Sequence, residues 1–293
     1  MQSKNSNNSF KRKTEFQQVI HRLSKNTGAM LGLAIILIFA IIAITADMWI
    51  DYDTQVIAQN MKEAKQWPSA AHWFGTDKFG RDIFFRLLYG SKFSLSVGIV
   101  AVLIAVVIGV PLGAIAGYYG GVIDNIIMRI SDIFSSIPSL LMGIVLVSAF
   151  GTNIFSLMMA VGLTSVPGFV NGGRTAVLTV RNQEFVESAR AIGMSEAKII
   201  FGQVLPNCLS QIIVRVTLRI GSAVISASAL SFLGLGVPAP APEWGSMLSE
   251  GRDYIRSCSY MTLFPGLAIM LLVIAFNMLG DGLRDALDPK LKK

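Results

Sequence analysis

Hydrophobic and polar positions along this 293-residue chain fall into long blocks instead of alternating. Asn26 to Ala46 carries no charged residue, which is one span's worth of helix. A polar stretch of mixed charge over 47–92 follows, too long and too charged for a turn. From Phe93 to Ile123 no charge occurs over 31 residues, which predicts a tilted span with an interfacial end. Gly98, Gly109, Gly113 and Gly117 within it predict close helix packing, because small residues let helix backbones approach in lipid. Asp124, Arg129 and Asp132 mark a short break, read as a cytoplasmic turn closed by internal pairing. The 41 positions 133–173 again lack charge, so as helix they would run about 60 Å and must be two spans, turning at Gly151-Thr152-Asn153. Pro138 and Pro167 lie inside or at the ends of these helices, as membrane bundles tolerate. A charged segment over 174–209 precedes two more uncharged runs, Ile220–Pro242 and Ser257–Gly280. The pattern predicts an all-α, polytopic membrane helix bundle with six transmembrane helices.

The blocks divide the chain into a tail (1–28), a first transmembrane helix (29–50), an extracytoplasmic loop (51–92), a core of five transmembrane helices (93–282) holding the charged loop 174–209, and a second tail (283–293). The first tail carries six Lys/Arg and reads as a disordered, topology-setting arm. Positive charge favours the cytoplasmic side, so the N-terminus is expected there. The 51–90 interval also holds five Lys/Arg, which weakens the rule, but the reverse orientation would require the basic tail to be translocated. An even number of spans returns the C-terminus to the same side, in agreement with Lys290, Lys292 and Lys293. No small-x-small cleavage site follows the first apolar run, so it is expected to stay in the mature chain.

Composition strengthens the membrane reading. Hydrophobic residues make up 53% and charged residues 15%, with a mean hydropathy of +0.58; a soluble domain would carry about 25% charged. The net charge of +7 does not indicate nucleic acid, since no basic stripe interleaved with aromatics occurs. Cys208 and Cys258 fall at opposite ends of one predicted span, about a bilayer core apart and beyond disulfide reach, so both are expected as free thiols.

The sequence lacks the usual chemistry of an engine. His21 and His72 are too far apart in topology to share a metal, there is no HExxH or CxxC, and no Gly-Lys pair exists for a phosphate-binding loop. The interiors of all six runs are free of Asp, Glu, Lys, Arg and His, whereas an ion-coupled transporter generally needs an ionisable group at membrane depth. Coupling energy must then come from a partner.

The candidate for that coupling is residues 184–207, EFVESARAIGMSEAKIIFGQVLPN. Phe185, Ala189, Ile192 and Gly193 share one helical face, and Gly193 ends the helix where positive φ is often needed. Ser195 is placed to cap a second helix with Glu196 in its first turn, and Pro206 is expected to stop that helix before the fifth span. Residue pattern alone leaves two readings open, a helix–turn–helix knuckle projecting from the membrane or an amphipathic loop lying on the headgroups.

Glu187-Ser188-Ala189, Gly193 and Leu205-Pro206 resemble the EAA loop of ABC-importer permeases, with Ser188 in place of the usual second-position Ala and Gln203 where many such loops carry Ile. GTDKFGRDIFFRLLYGSKFSLSVG (75–98), ALSFLGLGVPAPAPEWGSML (229–248) and GDGLRDALDPKL (280–291) resemble, in the same order, the C-type permease of dipeptide, oligopeptide and nickel importers. The resemblance implies a type I ABC importer permease fold in a bacterial or archaeal cytoplasmic membrane. It implies a non-catalytic subunit partnered by a homologous B-type permease, two ABC ATPases that bind ATP and Mg, and an extracytoplasmic solute-binding protein. Glu184, Glu187, Ser188, Ala189, Arg190, Gly193, Leu205 and Pro206 are carried over as ATPase-coupling positions. No cofactor is expected on this chain itself.

Other residues admit two readings each. Arg215 and Arg219, four apart at the expected cytoplasmic start of the fifth span, either snorkel to headgroups or meet the ATPase or an anionic end of the cargo. Asp77, Arg81 and Asp82 either dock the binding protein or form a self-capped loop, and Trp244 is an interfacial anchor or a binding-protein contact. Ser222, Ser226 and Ser228 either line a path or pack between helices. Peptide is the expected cargo, with nickel or metal–chelator complexes as the alternative. A self-sufficient ion-coupled transporter and a membrane scaffold without transport remain the readings from other classes.

Overall fold

The computed structural model describes residues 15–287, so the basic residues before Glu15 and the lysines after Leu287 lie outside the described residues. Helix α1 (Glu15–Lys25) turns at Asn26, whose side chain accepts from the Ala29 amide and caps α2 (Thr27–Trp49). Only Ala29, Gly32 and Ala46 of α2 are buried, as for a helix that gives most of its surface to lipid. Gly32 lets it close on Ala275 and Met278 of α11 (Tyr260–Leu287).

Helix α3 (Ile83–Tyr119) starts ten residues before the Phe93 that the charge pattern marks. Its early charges are neutralised by partners: Arg86 meets Glu250 at 3.3 Å and Lys92 meets Asp47 at 2.5 Å. Charge therefore did not end the helix. Gly120 and Gly121, both at positive φ, end it instead and turn the chain into α4 (Gly121–Ser136).

The region after α3 differs most from expectation. Asp124, Arg129 and Asp132 lie on α4 and not in a turn, and Asp124 pairs with Arg174 through two bonds of 2.6 and 2.7 Å instead of pairing locally. Ile137, forced into extended backbone by Pro138, bends the chain by 88° into α5 (Ser139–Phe150). At 12 residues α5 is too short to cross a bilayer core alone. The uncharged run 133–173 thus gives the end of α4, the short α5 and most of α6 (Ile154–Val180), capped by Asn153. Among the described residues five helices are long and apolar enough to span, or six if the bent pair counts as one.

Helices α3 and α6 form the centre of the bundle. Gly109, Gly113 and Gly117 present bare backbone to Phe169, Val170, Arg174 and Val177, so the helix axes close to a distance no side chain would permit. After α6 come α7 (Glu184–Ala191) and α8 (Glu196–Ile199), then a π-helical turn (Ile200–Val204) leading into α9 (Leu205–Leu230). Pro206 does not stop this helix. The Leu205 amide reaches back five residues to Ile200 O, and the widened turn accommodates the ring and its missing donor in the first turn of α9. Residues 196–235 consequently read as one 40-residue helical run. A short helix α10 (Trp244–Gly251), capped by Glu243, leads to α11.

A leucine at Gly113 would meet Val170 and Arg174 backbone. Gly113→Leu should lower the thermal melting midpoint of the detergent-solubilised protein by several degrees, whereas Gly266→Ala, with its nearest neighbour at 3.8 Å, should leave it within error.

Candidate functional site

Helix direction sorts the site residues to two ends of the bundle. Residues 50–82 and α10 lie where α2 and α9 end and where α3 and α11 begin; the α7–α8 knuckle lies at the other end, with α1 and the last turn of α11.

At the first end Asp77, Arg81 and Trp244, offered as docking residues, are turned into the protein. Arg81 is 2% exposed, Asp77 4% and Trp244 0%. Asp77 accepts from the Phe79 and Arg81 amides and from Arg81 Nε at 2.5 Å; Arg81 then reaches Glu250 at 2.6 Å. Arg86 joins this group, 3.6 Å from Asp77, and also donates to the Val56 and Pro240 carbonyls. Two buried cations and two carboxylates thus fasten the loop to α3 and α10. The Trp244 indole donates to Leu87 O at 2.9 Å, which places it inside the protein and not in the headgroup layer. Asp82 caps α3 and holds His72 Nδ1 at 2.8 Å. The self-capped reading of this loop prevails. The apolar groups exposed here are Met61, Trp67 and Trp73.

At the other end, α7 rests on the bundle. Val186 and Ala189 are buried, while Glu184, Glu187, Ser188 and Arg190 are exposed and Ile192 is 78% exposed. Ala189 therefore seats the helix against the chain's own core. Ile192, expected on the same face as Ala189, points outward. Arg190 Nε donates to the Tyr118 hydroxyl at 3.2 Å, and Arg181 donates to Gly117 O at 2.8 Å, satisfying a carbonyl at the end of α3. Gly193 (φ 78°) closes the helix: its amide bonds Arg190 O and the Met194 amide bonds Ala189 O, the paired closure that positive φ permits. Ser195 stands at the start of α8 but its hydroxyl makes no capping bond. Leu205 is half-buried and Pro206 exposed.

Next to the knuckle lies a cleft of about 1090 Å³ between α1, α6, α9 and α11. Arg215, Arg219 and Ser222 line it, with Asn207 and Gln211 on the same helix and Arg22 and Arg284 from α1 and α11. Ser226 continues the stripe, its hydroxyl bonded to Ser222 O. Ser228 is buried without a hydrogen-bond partner, so it packs between helices. Sequence reasoning missed Asn207 and Gln211, although the i, i+4 steps 207–211–215–219 were visible; treating Pro206 as a stop and Ile220 as a span start divided the stripe. Arg22 and Arg284 had no local signal, because only folding brings them to the cleft.

Residues 109–293 match the family described as binding-protein-dependent transport system inner membrane component, and residues 14–68 match the N-terminal TM domain of oligopeptide transport permease C. The chain is 48% identical over 277 residues to a dipeptide transport system permease protein of Alkalihalophilus pseudofirmus, covering 94% of this chain and 90% of that one. It is 47% identical over 267 residues to a glutathione transport system permease protein of Salmonella typhimurium, covering 90% and 85%. The fold matches a chain of the inward-facing MetNI methionine ABC transporter with a TM-score of 0.59 at 18% identity, over 70% of this chain and 98% of that one. It is the type I ABC importer permease fold.

Burial of Ala189 and exposure of Ile192 are directly measurable. In the solubilised protein, a cysteine at Ile192 should react with a maleimide at least about tenfold faster than one at Ala189, against the two buried native cysteines.

Proposed function

The chain belongs to the binding-protein-dependent transport system inner membrane component family, and on that premise we propose that it moves di- and oligopeptides, coupled to cytoplasmic ATPases through the 184–207 knuckle. It is a multi-pass permease subunit of an ABC importer, and its part is translocation and not nucleotide hydrolysis. One observation carries the pathway reading. Asn207, Gln211, Arg215, Arg219, Ser222 and Ser226 form one polar stripe on α9, about 28 Å long at 1.5 Å per residue, close to the thickness of a bilayer core. A stripe of that length, most of it bordering an open cleft, is a half-channel awaiting its other wall.

A homologous B-type permease supplies that wall in this reading. The knuckle docks on one of two ABC ATPases, which bind ATP and Mg, and a solute-binding protein delivers cargo at the opposite end. The host membrane is a bacterial or archaeal cytoplasmic membrane, with both termini and the knuckle in the cytoplasm. Glu184, Glu187, Ser188 and Arg190 face outward for that contact, together with Ile192; Ala189 and Gly193 act by holding the helix in shape. The relatives named for dipeptide and glutathione transport support a peptide cargo.

Reconstituted with its B-type partner, ATPases and binding protein, the chain should take up a labelled dipeptide only while ATP is hydrolysed. Uptake by the isolated chain on an ion gradient would overturn the reading. Gly193→Asp, which forces a side chain onto positive φ, should leave the protein inserted but lose ATPase association; normal transport by that variant would count against the knuckle's role.

A further inference from the structure

Helix α9 carries two arginines one turn apart, and both lie at mid-span. Arg219 donates through Nε and Nη2 to Ser165 Oγ, at 3.3 and 3.0 Å, while the Ser165 hydroxyl donates onward to Val161 O. Arg215 Nη1 donates to Gly168 O at 3.3 Å, and Gly172 leaves space that a Cβ would take from the Arg215 guanidinium. Ser165 stands about 16 Å along α6 from Ile154 and about 22 Å from Val180. The antiparallel contacts Ser165–Arg219 and Gly168–Arg215 therefore fix both guanidinium groups near the centre of the α6–α9 pair. Drawing span limits at charged residues had placed them at the membrane edge.

An arginine at this depth costs several kcal/mol unless it is paired or faces a water-filled space. Here the space is the cleft. Its lining comprises four arginines (Arg22, Arg215, Arg219 and Arg284) and no carboxylate. Among the described residues none of the four makes an ion pair, in contrast to Arg81, Arg86 and Arg174. A guanidinium has five donors, and only one or two of each mid-span arginine are used by the protein. Arg22 and Arg284 come from α1 and the last turns of α11, at the knuckle end of the bundle, and Arg215 and Arg219 from the middle of α9.

We propose that Arg215 and Arg219 form an oxyanion-binding step in the pathway, which takes the C-terminal carboxylate of a peptide in transit. This rests on the peptide-importer reading above and specifies it. The planar fork of arginine matches a carboxylate in two parallel hydrogen bonds, and a site of two cations with spare donors favours the negative end of a zwitterionic cargo over its ammonium. A lipid phosphate offers similar chemistry, but headgroups reside at the helix ends, and the Ser165-anchored guanidinium is about 16 Å or more from either end of α6. At about 1090 Å³ the cleft admits a short peptide with its water.

The test uses the complete importer in vesicles, with trialanine and its C-terminal amide as probes, each at concentrations that saturate the binding protein. The wild type should move the acid faster than the amide. In the R215Q/R219Q variant that preference should fall about tenfold, the loss expected when charge-assisted bonds are removed, and R215K/R219K, which keeps both charges but loses the planar fork, should fall between the Gln variant and the wild type. Should the double variant fail to assemble, R219Q alone carries the same comparison. Equal handling of acid and amide by the wild type, or an unchanged preference in the assembled Gln variants, would overturn the assignment. So would a loss that is equal for both probes and follows the phosphatidylglycerol content of the vesicles, which marks a headgroup site. Absence of uptake of either probe by the wild type would remove the peptide reading itself, and this step with it.

Discussion

A guanidinium in the middle of a membrane bundle is stable only where polar groups or water surround it. That constraint explains how α6, α9 and the cleft fit together. Arg219 needs the Ser165 hydroxyl, and Arg215 needs the Gly168 carbonyl and the room left by Gly172. Those partners are on α6, and α6 is positioned by the glycine faces it shares with α3. The remaining donors open into a cleft, so the helix pair keeps one polar wall inside an otherwise apolar bundle. In the proposed pathway this polar wall would pair with a second one, since leaving the stripe in lipid would be costly.

The two ends of the molecule are built differently. At one end, Asp77, Arg81, Arg86 and Glu250 bury their charges and bind a long loop to α3 and α10; breaking one partner of such a group leaves an uncompensated charge. This end is stiff. At the other, α7 is held by Val186, Ala189 and the contact of Arg190 with Tyr118, while its outer face is left open. It is a small helix with a well-defined seat and an exposed outer face, which in the proposed coupling would pass a push on to α3 and α9.

Much of this was legible in sequence. Long uncharged runs gave an all-α membrane bundle, and the EAA-like loop with three further motifs (75–98, 229–248 and 280–291) gave the family and its type I fold. What sequence could not supply follows from the use of charge as punctuation. Arg86, Lys92, Arg215 and Arg219 all sit inside long helices because partners distant in sequence accept them, so limits drawn at charges fell short. Proline misled in the same way: Pro206 is absorbed by a π turn, whereas Pro138 makes the 88° bend that shortens α5. Trp244 looked like a headgroup anchor, but its indole finds Leu87 O inside the protein. Burial of Ala189 against exposure of Ile192 depends on which way α7 rolls against Tyr118, and helical spacing cannot choose that roll.

In the proposed coupling, the force moving cargo enters through the outer face of α7 and the adjoining Ile192. A photo-activatable amino acid at Ile192, illuminated in the assembled importer, tests it most directly. An adduct with an ATPase subunit is expected; adducts confined to lipid or to the extracytoplasmic binding protein would contradict that coupling.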